Sequence, residues 1–538
     1  MFKVCVVGGG FTGITTAISI KKNNPNVHVT LIDSDKEPRN LGFGESGPPT
    51  FLDSICQILC IKESERLPWL TKFITETHGT IKYNFKWQDF LGKSDDGYLS
   101  GIRDIPDYRA ILDGSHSGIR MNPKVTHSDN NSYTLFDLWY ELYLAGERKA
   151  EDFQSDINDL YWYTQRHSVF VWDKEFVSGN VSLNMNSFEV CDWFKKEYGS
   201  IIDEIIIGTV KDFKQTDSGM ISGLVLDSDR VVDSNFYIDC TGFKRIFGKK
   251  FNLPWAKPKG EILHDSVVVT ANGYSKDIER EMQPYTIGYG MDYGWTFSIP
   301  LIDRKSYGYS FDSSFITADQ ALEELATLSD PKTRVVDPVT LKWDPGYYST
   351  STDANYACVG LSSAFVDPFD ANTLALQFRQ IICLNDFFKD VKNLQHFRKR
   401  FNNITVETSE AVAERVELHF GLAPRETSEY WVRNHEIAKR KNLESKIFDV
   451  MNRYEHTPRA TTTGDFVPYF QHLYLTELIY YGIDMSRRCR QSDPNLLKFA
   501  KDYFITSSRM NKVRADMSPT LKQWYLDNGI DITQYIKF

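Results

Sequence analysis

The first residues that could do chemistry are three glycines, Gly8, Gly10 and Gly13, spaced as G-x-G-x-x-G directly after a short apolar segment. Phe11 and Thr12 fill the two positions before the last glycine. The first glycine of such a loop permits a tight turn, the second lets a pyrophosphate approach the backbone, and the third allows close packing of helix on strand. Three glycines at this spacing weaken any element that does not use them, so a turn without a ligand is the poorer interpretation. The loop predicts a dinucleotide site.

The residues around this loop supply the rest of such a site. A helical pattern follows the glycines, and a second apolar strand, Val27–Ile32, ends in Asp33, 20 residues past Gly13. A carboxylate at that place accepts hydrogen bonds from ribose hydroxyls. Strand, glycines, helix, strand and acid therefore predict a βαβ unit that binds NAD or FAD.

Lys82 lies in the segment 80–87, where polar and apolar residues alternate. This alternation predicts an amphipathic strand. On periodicity alone, Lys82 is a solvated surface lysine.

Asp370 precedes a helical pattern that starts at Ala371. An aspartate in this place can simply cap the helix, or it can act as a general acid or base. Asn372 and Thr373 follow at the predicted N-terminus, where the helix dipole favours an anion.

These residues need a framework, and the hydrophobic pattern predicts one that alternates strands and helices. Further strands are predicted at 202–210, 231–240, 266–270, 307–311 and 356–360. Helices are predicted at 319–328, 373–386, 406–419 and 470–481.

Composition excludes several classes of protein. The chain has 538 residues, 41% of them hydrophobic, 25% charged and 14% aromatic, with a formal net charge of -10. These fractions are ordinary for a globular protein of two or three modules. A nucleic-acid partner is not expected, because it would require a clustered basic surface.

Cysteine usage and hydropathy bear on the compartment. Eight cysteines are too few for a disulfide scaffold, and Cys5, Cys240 and Cys358 lie in apolar segments as small core residues. Cys56 and Cys60 have no matching His/Cys pair, so no metal site is expected. The N-terminus lacks the basic region of a signal peptide, and no apolar run could span a bilayer. We therefore expect a cytoplasmic protein without a membrane partner.

The fold class that follows is α/β. Nucleotide-site segments recur at the start of the chain, near residue 240 and near residue 360, so one module is assembled from separated stretches. We predict a discontinuous nucleotide module at 1–110 and 185–400, which also contains segments of an inserted β-sheet substrate module. An insertion at 111–184 and a helical C-terminal region at 401–538 that covers the substrate pocket complete the prediction.

Three later segments favour FAD over NAD. Phe236–Gly242 is an apolar strand that ends in Asp239 and a polar turn at Gly242, and it resembles the second FAD-contacting segment of flavin monooxygenase-like proteins (the GR2 type of Rossmann-like module). A glycine-rich loop soon after the second strand contains Gly44, Glu45 and Ser46. The segment 357–362 resembles the one that places the ribityl chain at Gly360, but Leu361 stands where an Asp or Asn is usual.

The chain also resembles the flavin-dependent halogenases, the tryptophan-halogenase group in particular. Gly294–Leu301 matches the W-x-W-x-I-P motif of that family through Trp295, Ile299 and Pro300, with Phe297 in place of the second Trp. Other matching stretches, in chain order, are the loop 42–48 (G-x-G-E-[SA]), 80–87 (T-F-K-x-x-I-K-F), Tyr307-Gly308-Tyr309, 365–374 (F-V-[ED]-P-L-E-S-T-G-I), and His419-Phe420 with Arg425 and Trp431.

This resemblance implies a function for the motif residues. Reduced flavin activates oxygen, and in the family the bulky residues at Trp295, Phe297, Ile299 and Pro300 bar the organic substrate from the flavin. Only halide then reaches the activated oxygen, and hypohalous acid travels to a separate pocket. There, Lys82 matches the essential lysine, which donates a hydrogen bond to the oxidant or becomes a haloamine.

The resemblance also implies roles near the start of the predicted helix. Asp370 falls where tryptophan halogenases carry a glutamate that polarises the oxidant or takes the ring proton. Asn372 and Thr373 replace a Thr-Gly pair whose backbone amides lie near the halide. Because Thr373 restricts the backbone, the preferred halide stays open among chloride, bromide and iodide.

The sequence therefore predicts a halogenase that uses FADH2, O2 and halide on an electron-rich aromatic of the indole or phenol type. A flavin monooxygenase, or another FAD oxidoreductase of this fold, is the alternative, and a non-catalytic flavoprotein is a third. No second glycine motif for a nicotinamide is evident, so a separate flavin reductase is expected. The sequence leaves a homo-oligomer open. The aromatic residues Tyr469, Phe470, Tyr474, Tyr480 and Tyr481 either close the substrate pocket or fill a helical core.

Overall fold

A computed structural model describes most of the chain. The described residues are 1–34, 45–48, 51–82, 84–92, 97–100, 124–126, 132–149, 152–157, 182–275, 277–446, 477, 479–483 and 494–535.

The fold mixes helices and strands throughout. The helices are α1 Phe11–Asn23, α2 Phe51–Ile58, α3 Arg66–Thr77, α4 Leu135–Leu144, α5 Phe153–Ile157, α6 Ser187–Tyr198, α7 Ile246–Lys250, α8 Ile278–Glu281, α9 Ala318–Leu325, α10 Asn372–Lys389, α11 Leu394–Leu422, α12 Glu429–Lys441, α13 Pro494–Met517 and α14 Leu521–Asp527. Short 3-10 turns lie at Glu63–Glu65, Gly199–Ile201, Gly242–Lys244, Pro331–Thr333, Gly360–Ser362, Phe369–Ala371 and Ile532–Tyr535.

The strands of the first half are β1 Lys3–Val7, β2 His28–Asp33, β3 Glu45–Ser46, β4 Thr80–Lys82, β5 Asn84–Gln88, β6 Tyr98–Ser100, β7 Lys124–Thr126, β8 Ser132–Thr134, β9 Ser182–Met185, β10 Glu204–Ile207, β11 Val210–Gln215, β12 Ile221–Leu226, β13 Val231–Val232, β14 Phe236–Asp239 and β15 Trp255–Ala256. Those of the second half are β16 Ser266–Asn272, β17 Tyr285–Met291, β18 Gly294–Pro300, β19 Lys305–Phe311, β20 Arg334–Lys342, β21 Gly346–Tyr348, β22 Thr352–Asp353, β23 Tyr356–Cys358 and β24 Ala364–Phe365.

The chain divides into two compact units, each made of separated segments. The first contains Met1–Thr80, Ser182–Ala271 and Val336–Val416. The second contains Ile81–Val181, Asn272–Val335 and Glu417–Phe538. The module boundaries proposed from the sequence stay a prediction.

The first unit is built on a six-stranded sheet in the order β10-β2-β1-β14-β23-β22. All neighbouring strands are parallel except β22 and β23, which run antiparallel. β1 contains three valines and is buried after its first residue, which suits a strand covered on both faces. The predicted βαβ unit and the α/β class are confirmed.

A hydrophobic cluster lies on this sheet and on the antiparallel strands β11–β13. It contains Cys5, Val7, Ile32, Ile206, Ile221, Leu224, Leu226, Val232, Tyr237, Phe247, Tyr356 and Cys358. Three small core residues expected from the sequence, Cys5, Cys240 and Cys358, are buried free thiols. Burial raises the pKa of each of these thiols well above its usual range, so they are inert at neutral pH.

The second unit has its own sheet, in which β19, β18, β17, β5 and β6 are neighbours in this order. β17 and β5 are parallel, whereas β18 pairs antiparallel with both β17 and β19. β18 therefore has a hydrogen-bonded neighbour on each side, β17 and β19.

Most predicted elements are present, with shifted bounds. The segment 202–210 contains β10 and the start of β11, and 231–240 contains β13 and β14. The predicted helix at 406–419 is the C-terminal part of α11. The predicted helix at 470–481 lies mostly outside the described residues. In the part of the chain that the structure describes, no helix is both long and apolar enough to cross a membrane.

Candidate active site

The three glycines of the first loop differ in the space around their Cβ positions. Gly8 has φ +110°, and a Cβ there would lie 2.5 Å from the carbonyl oxygen of Cys240. A Cβ at Gly13 would lie 1.7 Å from the carbonyl oxygen of Gly8. At Gly10, in contrast, no atom of the described residues lies within 4 Å of the Cβ position. Packing therefore requires glycine at positions 8 and 13, whereas Gly10 leaves open space above the start of α1.

Asp33 lies directly beneath this loop. Its carboxylate carbon is 2.1 Å from the position that a Cβ of Gly9 would occupy. One carboxylate oxygen accepts a hydrogen bond of 2.6 Å from Lys195 Nζ on α6. Lys195, which the sequence did not indicate, therefore fixes the carboxylate against the glycine loop.

The turn after β14 carries Asp239 and Gly242. Asp239 is fully buried and accepts from the backbone N and Oγ1 of Thr241 and from the backbone N of Phe247. Burial raises the pKa of the Asp239 carboxyl, although these hydrogen bonds oppose the shift. The carboxylate shapes the turn, while Gly242, with φ +60°, has no atom of the described residues within 4 Å of its Cβ position.

Gly360 follows β23, also with φ +62°. Its backbone N donates to Oε1 of Gln380 at 2.8 Å. The amide of Gln380 donates in turn to the hydroxyls of Ser363 and Thr405, each at 2.9 Å. This buried amide fixes the turn without help from Leu361.

A second glutamine of α10 reaches the first loop. Thr12 Oγ1 donates to Gln377 Oε1 at 2.9 Å, and Gln377 Nε2 donates to Thr15 Oγ1 at 3.1 Å. Gln377 and Gln380 thus join α1 and the Gly360 turn through one helix. Sequence reasoning missed both, although two glutamines on an otherwise apolar helix face were the available signal.

Glu45 and Ser46 form β3, which pairs antiparallel with β9. Burial raises the pKa of Glu45, and a hydrogen bond from Ser187 opposes the shift. Gly44, which belongs to the same predicted cofactor loop, lies outside the described residues.

We call the loop Gly8–Gly13 and the turns at Gly242 and Gly360 the cofactor cradle. The open space at Gly10 and Gly242, and the carboxylate of Asp33 at the end of β2, fit a dinucleotide such as FAD. Among the described residues, no group of three or more His, Cys, Asp and Glu side chains could hold a metal ion.

Asp370 lies in the 3-10 turn Phe369–Ala371, which we call the acid turn. Asp370 and Ala371 both have left-handed backbones, with φ +54° and φ +57°. Asp370 is 7% exposed. Helix α10 begins only at Asn372, with Ala371 in the capping position, so Asp370 is not its N-cap residue.

The start of α10 carries the two predicted halide residues. Asn372 is buried, and its side chain donates to the carbonyl oxygen of Phe369 at 2.6 Å. Its amide group is thereby used to close the acid turn. Thr373 occupies the next helical position, so the backbone amides of both residues belong to the first turn of an 18-residue helix.

In the second unit, Lys82 ends β4 and is only 3% exposed. Its Nζ lies 5.3 Å from the ring centroid of Phe85. The interpretation of Lys82 as a solvated lysine on a regular amphipathic strand is therefore wrong. The described part of the segment consists of two separate strands, β4 and β5.

The W-x-F-x-I-P motif forms strand β18, between β17 and β19. Trp295, Phe297 and Ile299 alternate along it and therefore share one face. The strand register places Gly288 on β17 and Gly308 on β19 on either side of Phe297.

Aromatic rings cover these glycines. A Cβ at Gly308 would lie 2.0 Å from the Phe297 ring, and one at Gly288 would lie 2.5 Å from the Trp87 ring. Trp295 and Trp87 have ring centroids 5.4 Å apart. A continuous aromatic wall thus covers this face of β18 and its neighbours.

Arg425 and Trp431 hold the turn between β17 and β18. Arg425 donates to the carbonyl oxygens of Asp89 and Gly290, both at 2.7 Å, and to a carboxylate oxygen of Asp292 at 2.8 Å. Trp431 Nε1 donates to the carbonyl oxygen of Met291 at 2.9 Å. Together these two residues form a clamp on the β17–β18 hairpin, which carries the W-x-F-x-I-P motif. The family-like residues of this stretch therefore have a structural role.

Two other family-like positions are also packed into the second unit. His419 is fully buried, and its Nδ1 lies 2.6 Å from an oxygen of Glu477. Tyr309 donates to Glu324 at 2.6 Å, and burial raises its pKa well above the usual range. Tyr481 lies in the same region, with its hydroxyl 3.4 Å from His419 Nδ1.

Comparisons with known proteins identify the family of this chain. The family model for tryptophan halogenase matches residues 3–102 and 197–490, well over half of the chain. The tryptophan 7-halogenase KtzQ of Kutzneria sp. is 28% identical over 444 residues, covering 80% of this chain and 77% of that protein. The tryptophan 7-halogenase RebH of Lentzea aerocolonigenes is 23% identical over 456 residues, covering 83% and 81%.

Solved structures show the same fold. A tryptophan halogenase from Shewanella frigidimarina superposes with a TM-score of 0.80 at 18% identity, covering 99% of this chain and 98% of that chain. The tryptophan 6-halogenase SttH of Streptomyces toxytricini gives a TM-score of 0.78 at 19% identity, covering 98% and 100%. The chain belongs to the tryptophan halogenase family and is a flavin-dependent halogenase.

Proposed function

We propose that the enzyme uses FADH2, O2 and halide to halogenate a free, electron-rich aromatic substrate of the indole or phenol type. The burial of Lys82 carries this proposal. A lysine loses about 2 kcal/mol of side-chain entropy when it is fixed, and its ammonium is costly to desolvate. A strand lysine without a task would lie in solvent, whereas Lys82 is 3% exposed.

The cofactor cradle would hold FAD. The pyrophosphate would lie at Gly10 against the start of α1, with Asp33 accepting from a ribose hydroxyl and Gly242 and Gly360 leaving room for the flavin half. When bound and reduced, FAD supplies with O2 the two-electron oxidation that converts halide to hypohalous acid. Because no second glycine motif for a nicotinamide is evident in the sequence, a separate reductase would provide the reduced flavin.

The halide would lie at the N-terminus of α10. Backbone amides of Asn372 and Thr373 belong to the first turn of this helix, whose dipole favours an anion. The Asn372 side chain is used to close the acid turn, so its backbone rather than its amide group is proposed to face the ion.

Lys82 and Asp370 would act on the substitution itself. The aromatic carbon forms a bond to the halogen while the halogen–oxygen bond of hypohalous acid breaks. The ammonium of Lys82 donates a hydrogen bond to the departing oxygen, which takes a proton from solvent and leaves as water, in balance with the proton that the ring releases. Asp370 accepts the proton lost from the ring carbon, which restores aromaticity.

The aromatic wall on β18 would keep the organic substrate away from the reduced flavin. Phe297 fills its place against Gly308 with a ring, as the second Trp of the family motif would, but it is smaller. The barrier would therefore be retained, and halide would be the species that is oxidised.

The test supplies the enzyme with a flavin reductase, NADH and FAD, and with chloride, bromide or iodide separately. Tryptophan, indole and phenol serve as substrates, and mass spectrometry detects halogenated product. We expect halogenation that requires halide. Hydroxylation of the same substrates without halide would instead favour the flavin monooxygenase alternative.

The role of Lys82 is tested with Lys82→Ala and its matched control Lys86→Ala, which removes a lysine from the neighbouring strand β5. Loss of Lys82 should lower kcat by about 100-fold or more, the contribution typical of a positioned proton donor. FAD binding and the formation of hypohalous acid, followed with a chemical trap, should persist in both variants. Halogenation at the wild-type rate by Lys82→Ala would remove this residue from the mechanism.

A further inference from the structure

The acid turn has a backbone that its residues do not favour. Asp370 and Ala371 are consecutive left-handed residues, with φ +54° and φ +57°, and neither is glycine. A left-handed backbone is unfavourable for any residue that carries a Cβ. The surrounding structure must therefore hold the turn in this form.

Arg415, near the C-terminal end of α11, contacts this turn at two successive residues. Its side chain is 0% exposed, and Nη2 lies 3.9 Å from Oδ2 of Asp370, whose side chain is 5% exposed. The guanidinium also lies over the ring of Phe369, 5.2 Å from the centroid. One buried cation thus contacts both the carboxylate and the residue before it.

The other side of the turn is fixed by a second buried pair. His264 Nδ1 lies 2.7 Å from Oδ2 of Asp367, with side-chain exposures of 1% and 0%. Asp367 Oδ1 accepts a hydrogen bond of 3.0 Å from the backbone N of Phe369. The His264–Asp367 pair therefore fixes the backbone of the turn without Arg415. The role left to Arg415 is its contact with the Asp370 side chain.

The burial of Arg415 is not explained by stability. Replacing a buried ion pair with apolar residues of similar volume is often neutral or stabilising, because both charges must be desolvated. A cation about 4 Å from a carboxylate favours the ionised form of that carboxylate. An ionised Asp370 can accept a proton but cannot donate one.

We propose that Arg415 is a positioning residue that keeps the Asp370 carboxylate ionised and fixed in orientation, and so makes it the base that takes the ring proton. This rests on the proposed function of Asp370. Of the two roles open to an acid in this place, polarising the oxidant or accepting the proton, an ionised carboxylate serves the second directly, because its oxygen can take the ring proton.

A double-mutant cycle tests this coupling. Asp370→Asn, Arg415→Gln and the double variant are compared for kcat, for KM of the aromatic substrate and for FAD affinity. If Arg415 acts through Asp370, each single variant lowers kcat, Asp370→Asn by about 100-fold. The double variant should then be no slower than Asp370→Asn alone, and KM and FAD affinity should stay close to wild type.

Two further variants separate this role from a structural one. Arg415→Lys keeps the charge without the planar fork, and it should restore much of the kcat lost in Arg415→Gln. Arg379→Gln is the matched control, because Arg379 joins α10 to α11 through Thr408 at 2.5 Å, and its loss should leave kcat unchanged. Thermal unfolding is followed for all variants.

Each failure has a distinct meaning. Effects on kcat that multiply in the double variant would show that Arg415 acts independently of Asp370 and would overturn the inference. An Asp370→Asn enzyme with wild-type kcat would overturn the proposed role of Asp370 itself. If Arg415→Gln does not fold, the same cycle with the apolar variant Arg415→Met decides, and effects on kcat that multiply there contradict the proposal equally.

Discussion

Glycines shape both the cofactor cradle of the first unit and the aromatic wall of the second. In the cradle they leave room for backbone atoms, and in the wall they leave room for aromatic rings. In the cradle, a Cβ at Gly8 or Gly13 would meet backbone carbonyl oxygens, at 2.5 Å and 1.7 Å. In the wall, a Cβ at Gly308 or Gly288 would meet the rings of Phe297 and Trp87. One site is shaped by backbone against backbone, and the other by side chains against backbone.

This difference decides how each region responds to change. Backbone atoms cannot move away from an added methyl group without distorting β1, α1 or β14, all of which are parts of the main sheet and its first helix. A ring can change its rotamer at a modest cost. We therefore expect the cradle to tolerate almost no change at its packed glycines, while the wall adjusts.

The largest expected effect is that of Gly13→Ala. Its Cβ would lie 1.7 Å from the carbonyl oxygen of Gly8, so α1 must move away from β1. We expect a loss of about 4 kcal/mol or more in the free energy of unfolding, together with loss of FAD binding. Urea unfolding and titration of the flavin-free protein with FAD measure the two quantities.

Gly10→Ala is the matched variant in the same loop. Gly10 has φ -72° and open space at its Cβ position, so the free energy of unfolding should change by less than about 0.5 kcal/mol. The added methyl group would occupy space proposed for the pyrophosphate, and FAD affinity should fall about tenfold, or 1.4 kcal/mol. Equal stability losses in the two variants would contradict the distinction between packed and open glycines.

The same distinction explains what the sequence predicted. The spacing of Gly8, Gly10 and Gly13 was informative because Gly8 and Gly13 are required by local backbone packing and Gly10 leaves open space above the loop. The elements β1, α1 and β2 followed from hydrophobic periodicity. The elements predicted farther along the chain are mostly present, with ends shifted by a few residues, but many others, such as α6, α12 and β17, were not predicted.

The sequence was less informative about side chains whose burial and partners are set by tertiary packing. Periodicity made Lys82 a surface residue, but its side chain is buried. Lys195, Gln377 and Arg415 come from helices distant in sequence from the residues they support. A single sequence gives no signal for such contacts, because it does not show which helix face meets which loop.

An intermediate effect is expected at the clamp on the β17–β18 hairpin. Arg425→Ala removes two hydrogen bonds to backbone carbonyls and one to Asp292, and it leaves partly buried acceptors without their donor. We expect a loss of about 2 to 4 kcal/mol in the free energy of unfolding. Urea unfolding again measures it.

We expect the destabilisation caused by Arg425→Ala to be confined to the second unit. FAD affinity of Arg425→Ala should stay within about twofold of wild type, because the bonds that Arg425 makes to Asp89, Gly290 and Asp292 all lie within the second unit and mutations without shared partners usually act independently. Arg425→Lys serves as control and should be less destabilised. A parallel loss of FAD affinity would show that the two regions are energetically coupled.

The smallest expected effect concerns Lys305, which begins β19 and pairs with Pro300 of β18. Burial lowers the pKa of Lys305 from 10.5 to about 8, although the charge of Glu281 opposes the shift. Below pH 8 the amine is charged in both the folded and the unfolded chain, and the folded state bears the desolvation cost. Between pH 8 and 10.5 the folded state has lost the proton while the unfolded state still binds it, so the cost disappears as the pH rises.

Replacing this lysine should therefore be stabilising at neutral pH. Because Lys305 is only partly buried, we expect Lys305→Met to gain about 1 kcal/mol at pH 7, less than the full shift would give, and the gain should vanish towards pH 10. Lys332→Met, at an exposed lysine of the same unit, should give a difference that is small and constant across this range. A gain for Lys305→Met that does not depend on pH would assign it to better apolar packing instead, and would mean that the strands next to the aromatic wall bear no electrostatic cost.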